Sequence, residues 1–87
     1  MTDEAEVRLR RLRLRSWRRG TKEMDLILGP YADREAAAMD EDRLATYEAL
    51  LDEGDQDLYA WVAGTRPPPD RFAGVVAHIR GGLPRIR

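Results

Sequence analysis

The sequence predicts an all-α fold, a compact bundle of about five short helices, and three observations carry that expectation. Apolar residues recur at helical spacing in successive segments. Each segment is preceded by an aspartate or threonine able to cap a helix, and each is closed by glycine or proline. Strand alternation is confined to Val7-Arg8-Leu9-Arg10 and breaks at Arg11.

Asp3-x-x-Glu6 forms a capping box, which places the first helix from about Glu4 to Ser16. Its apolar stripe is Ala5, Leu9, Leu12 and Ser16, widened by Val7, Leu14 and Trp17. Thr21 caps a second helix that carries Met24, Leu26, Ile27 and Leu28 inward and must end or kink at Gly29-Pro30, because proline lacks the N–H of a helix interior. The alanines between Tyr31 and Ala38 can extend it past the kink. Asp40 caps a third helix reaching about Glu53, with Leu44, Tyr47, Leu50 and Leu51 on one face and Gly54 closing it. Asp55 opens a fourth, with Leu58, Trp61 and Val62 inward and Gly64 at its end. Thr65 to Pro69 is a connector too short to link domains, and Asp70 begins a fifth helix whose stripe is Phe72, Val75, Val76 and Ile79 before Gly81-Gly82 and Pro84. The expectation is a single domain over 1–87, frayed in its first few residues and over 81–87.

At 87 residues the chain has room for one modest core, and a standard protein contact of about 20–30 residues would occupy a large share of it. A binding module fits this size better than an enclosed active site. There is no cysteine, which excludes disulfides, thiolate nucleophiles and thiolate metal sites. No apolar run approaches the ~20 residues of a membrane span, and Asp3, Glu4 and Glu6 are unusual in a transit peptide, so a cytoplasmic, unprocessed chain is expected, without membrane insertion.

The net charge of −1 hides a segregation: residues 1–22 hold eight basic and three acidic side chains, residues 23–63 two basic and twelve acidic. Nucleic acid is not the expected partner, because leucines interleave with the arginines and no aromatic stacking platform accompanies them. His78, the only histidine, adjoins the stripe of the last helix and has no triad partners. No phosphate-cradling loop is present, and Asp52-Glu53-Asp55-Asp57 lacks the spacing of a calcium loop; capping and a solvated face account for it. Trp61 is assigned to the core, and Tyr59 is left open between core and contact surface.

The segment that stands apart is Arg18-Arg19-Gly20-Thr21-Lys22-Glu23-Met24-Asp25. On a continuous helix Arg19 and Glu23 would gain only about 0.3–0.5 kcal/mol as an i,i+4 pair, less than the roughly 0.5–1 kcal/mol that a mid-helix glycine costs. Gly20 therefore serves a bend, a positive φ or a close backbone approach by a partner, with the two charged side chains fanned out on either side.

Here the sequence resembles the small flavinylation assembly factors of succinate dehydrogenase, called SdhE in bacteria and also classed as YgfY proteins. The resemblance runs from about Leu12 to Arg80. It rests on the Arg-Gly-x-x-Glu signature (Arg19, Gly20, Glu23) preceded by Arg18, on Met24-Asp25, on Tyr31, on Tyr47 to Leu51, and on Asp55 to Trp61. Met24 stands where leucine is common and Gln56 where proline is common. The resemblance implies a small helical bundle that binds the flavoprotein subunit of succinate dehydrogenase, in some bacteria fumarate reductase, and promotes covalent attachment of FAD to a histidine of that client. It further implies that Arg18, Arg19, Gly20, Glu23 and Asp25 form the client-binding surface, with no catalytic residue, no metal and no stably bound cofactor of the chain's own. With no cysteine, one poorly placed histidine and no nucleotide loop, bond formation falls to the client. On that reading Gly20→Arg and Glu23→Ala leave the fold intact, and the chain acts as a monomer. The alternatives are an antitoxin-like module binding a membrane-associated toxin, a role also described for relatives, and direct carriage of FAD.

Overall fold

The periodic segments do fold as helices. The computed structural model describes residues 3–83, and among them the chain forms α1 (Glu4–Trp17), α2 (Lys22–Glu35), a 3-10 turn (Ala36–Ala38), α3 (Glu41–Leu51), α4 (Asp55–Ala63) and α5 (Asp70–Gly81), with no strand. The fraying expected over 81–87 is corrected at its start, because Gly81 closes α5 and Gly82 follows as its cap; residues 1–2 and 84–87, also in the expected frayed ends, lie outside the described part.

Three expected caps form. Asp3 accepts from Ala5 N at 3.0 Å, Thr21 from Met24 N at 3.3 Å and Asp40 from Arg43 N at 2.7 Å, each satisfying a donor that has no partner within its helix. Two boundaries differ from expectation. α2 runs on through Gly29-Pro30 to Glu35, because proline's fixed φ suits a helix and the carbonyl it leaves free belongs to Leu26, on the solvent side. α3 stops at Leu51, and Gly54, at φ −69°, is the N-cap of α4 and not the terminator of α3. Gly64 ends α4 in the left-handed conformation at φ +82°.

The core draws on every helix: Leu12 from α1, Met24, Leu28 and Tyr31 from α2, Tyr47, Leu50 and Leu51 from α3, Leu58, Trp61 and Val62 from α4, and Phe72, Val75, Val76 and Ile79 from α5. Trp61 and Phe72 lie ring to ring at 5.9 Å, which settles Trp61 as a core residue. Ser16 is buried with its polar group satisfied, its hydroxyl donating to Leu12 O at 2.9 Å and meeting the Tyr47 hydroxyl at 2.8 Å. Burial raises the Tyr47 pKa, so the phenol stays neutral. Ala5, Leu14 and Leu26, expected to face inward, are exposed instead.

α1 is joined to α3 by charge. Arg8 holds Glu48 at 2.6 Å and Glu41 at 2.7 Å, and Arg15 holds Asp52 at 2.5 Å. The Arg8 guanidinium keeps the Glu48 carboxyl below its ordinary pKa. α1 meets α2 through Trp17, whose ring lies where a Gly29 side chain would be: a Cβ there would sit 2.3 Å from Trp17 Cδ2. The indole Nε1 donates to Asp33 at 3.1 Å. Gly29→Ala should therefore lower stability by about 1–2 kcal/mol despite alanine's better helix propensity. Thermal melts should show the loss, and Trp17→Ala in the same chain should relieve most of it; additive losses would place the cost elsewhere.

Candidate functional site

The motif occupies the turn between α1 and α2. Arg18 caps the end of α1, Gly20 turns the chain at φ +102°, and Thr21 starts α2. Asp25, in the first turn of α2, reaches back and accepts from Arg19 N at 2.6 Å. This bond fixes the turn, so Asp25 acts as a brace beneath the surface.

Arg19 does not fan outward. Its side chain is only 12% exposed and folds onto the corner between α3 and α4. Nε donates to Asp55 Oδ1 at 2.9 Å, Nη2 to Glu53 O at 2.7 Å and Nη1 to Leu51 O. A helix leaves its last carbonyls without intrahelical donors, and its negative end favours a cation, so this corner suits a guanidinium. Asp55 lies in the first turn of α4, where an acid is favoured. The expectation that Arg19 and Glu23 flank Gly20 as two outward charges is thus corrected for Arg19.

Glu23 does point outward. It is exposed in the first turn of α2 and has no ion pair among the described residues. Arg18 is likewise exposed and unpaired among them. Glu23 borders a cleft of about 390 Å³ lined also by Thr21, Met24, Asp55, Gln56 and Tyr59. The cleft carries two carboxylates and an aromatic ring, a poor match for a dinucleotide, whose pyrophosphate would face like charge.

Over residues 10–82 the chain matches the family described as "Flavinator of succinate dehydrogenase". It belongs to that family. Among curated relatives, a mitochondrial succinate dehydrogenase assembly factor 2 of Cryptococcus neoformans is 42% identical over 74 residues, 84% of this chain and 42% of the relative. The corresponding protein of Saccharomyces cerevisiae is 39% identical over 66 residues, covering 72% of this chain and 41% of its own length. The FAD assembly factor SdhE of Legionella pneumophila is 35% identical over 63 residues, 72% of this chain and 80% of that protein. The chain spans less than half the length of the Cryptococcus and Saccharomyces relatives it matches.

The Arg18–Asp25 motif thus divides in two. Gly20, Glu23 and Arg18 face solvent, whereas Arg19 and Asp25 hold the turn that presents them. The sequence reading did not connect Asp55 to the motif, although the segregation of basic residues into 1–22 and acidic ones into 23–63 was the available signal. Asp52, Asp55 and Asp57, beyond capping and a solvated face, pair with Arg15, Arg19 and Arg66. Tyr59 is half exposed and belongs to the cleft surface, not the core. His78 lines a different hollow with Glu35, Met39, Asp40 and Arg43. Its Nδ1 is 2.8 Å from the Tyr31 hydroxyl, whose pKa burial pushes up to about 12.

For Gly20→Arg the fold should form, but with a lowered melting temperature. The backbone at φ +102° strains any L side chain by about 1–2 kcal/mol, even though a Cβ would meet nothing nearer than Asp55 Oδ2 at 3.9 Å. For the two charged residues of the motif the roles predict opposite outcomes. Arg19→Ala strands two carbonyls and Asp55 and should cost about 2–3 kcal/mol, a fall in Tm on the order of 10 °C or more. Glu23→Ala should stay within about 0.5 kcal/mol of wild type. Thermal melts of the two variants check this, and equal melting temperatures would contradict the inward role of Arg19.

Proposed function

We propose that this chain is an assembly factor that docks on the flavoprotein subunit of succinate dehydrogenase and promotes covalent attachment of FAD to a client histidine. The observation that carries the reading is the outward presentation of Gly20 and Glu23 on a turn braced from beneath by Arg19 and Asp25. Such bracing costs stability little to maintain and leaves the surface pre-organised, which lowers the ordering penalty of binding.

In this reading Glu23 accepts from donors on the client, Arg18 supplies a cation beside it, and the bare Gly20 backbone permits close approach. FAD stays with the client throughout, and so does the bond-forming chemistry. The factor stabilises the client arrangement in which histidine and flavin ring are aligned, since holding two reacting groups in place removes several kcal/mol from a barrier, by order of magnitude. Its place of action is the compartment in which the flavoprotein matures. No helix of the described residues is long and apolar enough to cross a membrane, in keeping with a factor that meets its client in the aqueous phase.

The test is covalent flavin on the client. The flavoprotein subunit is purified from cells lacking this gene and from cells complemented with wild type or Glu23→Ala, denatured, and read by in-gel flavin fluorescence. The signal should be restored by wild type and remain low with Glu23→Ala at equal levels of folded factor. Full fluorescence without the gene would overturn the proposal.

A further inference from the structure

Of the three groups that hold the Arg19 guanidinium, two are backbone carbonyls, which any residues at 51 and 53 would supply. The third, Asp55, holds it through a side chain, so this contact alone depends on which residue stands there. Among the described residues Asp55 is also the one carboxylate that pairs with this guanidinium. Asp52 and Glu53 are engaged by Arg15 and Arg71, and Asp25 takes the Arg19 backbone N–H instead. The pair is largely shielded from water, the Asp55 side chain being 23% exposed.

Asp55 grips Arg19 at Nε, and because the guanidinium is planar and rigid, holding that nitrogen decides which way the Nη1–Nη2 fork opens. The other carboxylate oxygen, Oδ2, lies 3.9 Å from where a Cβ of Gly20 would be. One side chain from the start of α4 therefore meets the α1–α2 turn at two successive residues, and it borders the same cleft as Glu23.

We propose that Asp55 is a positioning residue for client docking: acting through Arg19, it holds the α1–α2 turn in the geometry that displays Gly20 and Glu23. The inference rests on the reading of the client given above. Without Asp55, Arg19 would keep its charge in a largely dry corner with two carbonyls to compensate it, and swinging outward into water becomes the better solution. The bond from Arg19 N to Asp25 would then hold the turn alone. A turn that samples several arrangements binds only from the competent one, which weakens the apparent affinity in proportion to the competent fraction. Asparagine at 55 offers Nε the same acceptor in the same place, so it should preserve the position although it removes the charge.

The test compares wild type with Asp55→Ala, Asp55→Asn, Arg19→Ala and the double variant Asp55→Ala/Arg19→Ala. Val76→Ala, a truncation of the buried core on α5, controls for lost stability alone. At a temperature where thermal melts show each variant folded, two quantities are read. One is Kd for the purified flavoprotein subunit, by fluorescence anisotropy; the other is hydrogen exchange of the Arg19 amide in the free chain, by NMR. Asp55→Ala should raise Kd about tenfold and speed that exchange by a similar factor, while Asp55→Asn stays within about threefold of wild type on both. Arg19→Ala should raise Kd at least as much as Asp55→Ala, the double variant should lose no more than Arg19→Ala, and Val76→Ala should leave Kd unchanged.

Unchanged Kd in Asp55→Ala or in Arg19→Ala would overturn the inference while leaving the client assignment standing. A loss in Asp55→Asn as large as in Asp55→Ala would place the carboxylate charge itself against the client, and additive losses in the double variant would deny that Asp55 acts through Arg19; either overturns it. An equal loss in Val76→Ala would reduce the effect to stability and overturn it too. Absence of binding by wild type would remove the client, and the docking role with it, whereas unchanged exchange at Arg19 in Asp55→Ala would overturn the inference whatever the client.

Discussion

The arrangement of this small bundle depends on one guanidinium. Arg19 bridges three groups at the corner of α3 and α4: the carbonyl of Leu51 at the end of one helix, that of Glu53 in the turn that follows, and Asp55 at the start of the next helix. The Leu51 carbonyl is one that a helix terminus leaves in need of a partner, Asp55 is favoured at the start of α4, and a planar fork of five donors can serve these two and the Glu53 carbonyl where an ammonium could not. Because the backbone of the same residue is held by Asp25, the α1–α2 turn and the α3–α4 corner form a single unit. Gly20 follows from this constraint, since the chain must turn through φ +102° between the tethered Arg19 and the capping Thr21.

Function then becomes a matter of what the tether leaves outside. Glu23 sits on the first turn of a helix whose start is fixed, so its carboxylate is displayed from a rigid base, beside the cleft bordered by Tyr59. The nearly neutral net charge has the same logic. Arg8 and Arg15 are neutralised against α3, pairs that at such exposure contribute more to register than to stability, while Arg10, Arg13 and Lys22 remain available on another side. A chain of this size can therefore hold together and still present charge to a partner.

Much of the fold was legible in the sequence because it depends on local rules. The caps at Asp3, Thr21 and Asp40 and the stripes of α3, α4 and α5 are set by residues within a few positions of one another. What was not legible depends on partners distant in sequence. Pro30 lies inside α2 because the carbonyl it frees faces water, Leu14 and Leu26 face out because Trp17 covers the α1–α2 seam at Gly29, and Arg19 turns in because Leu51, Glu53 and Asp55 wait for it more than thirty residues away. For the candidate site, the sequence located the motif and its outward Glu23. It could not separate residues that face a partner from those that brace them, since a charged residue reads alike in both roles.

The central claim is that the braced turn is the face that meets the flavoprotein, and site-specific photo-crosslinking tests it most directly. A photoreactive amino acid at Lys22, next to the turn, should capture the flavoprotein subunit, and one at the exposed Ala45 on α3 should not. Capture from Ala45 alone, or equally from both positions, would contradict the account.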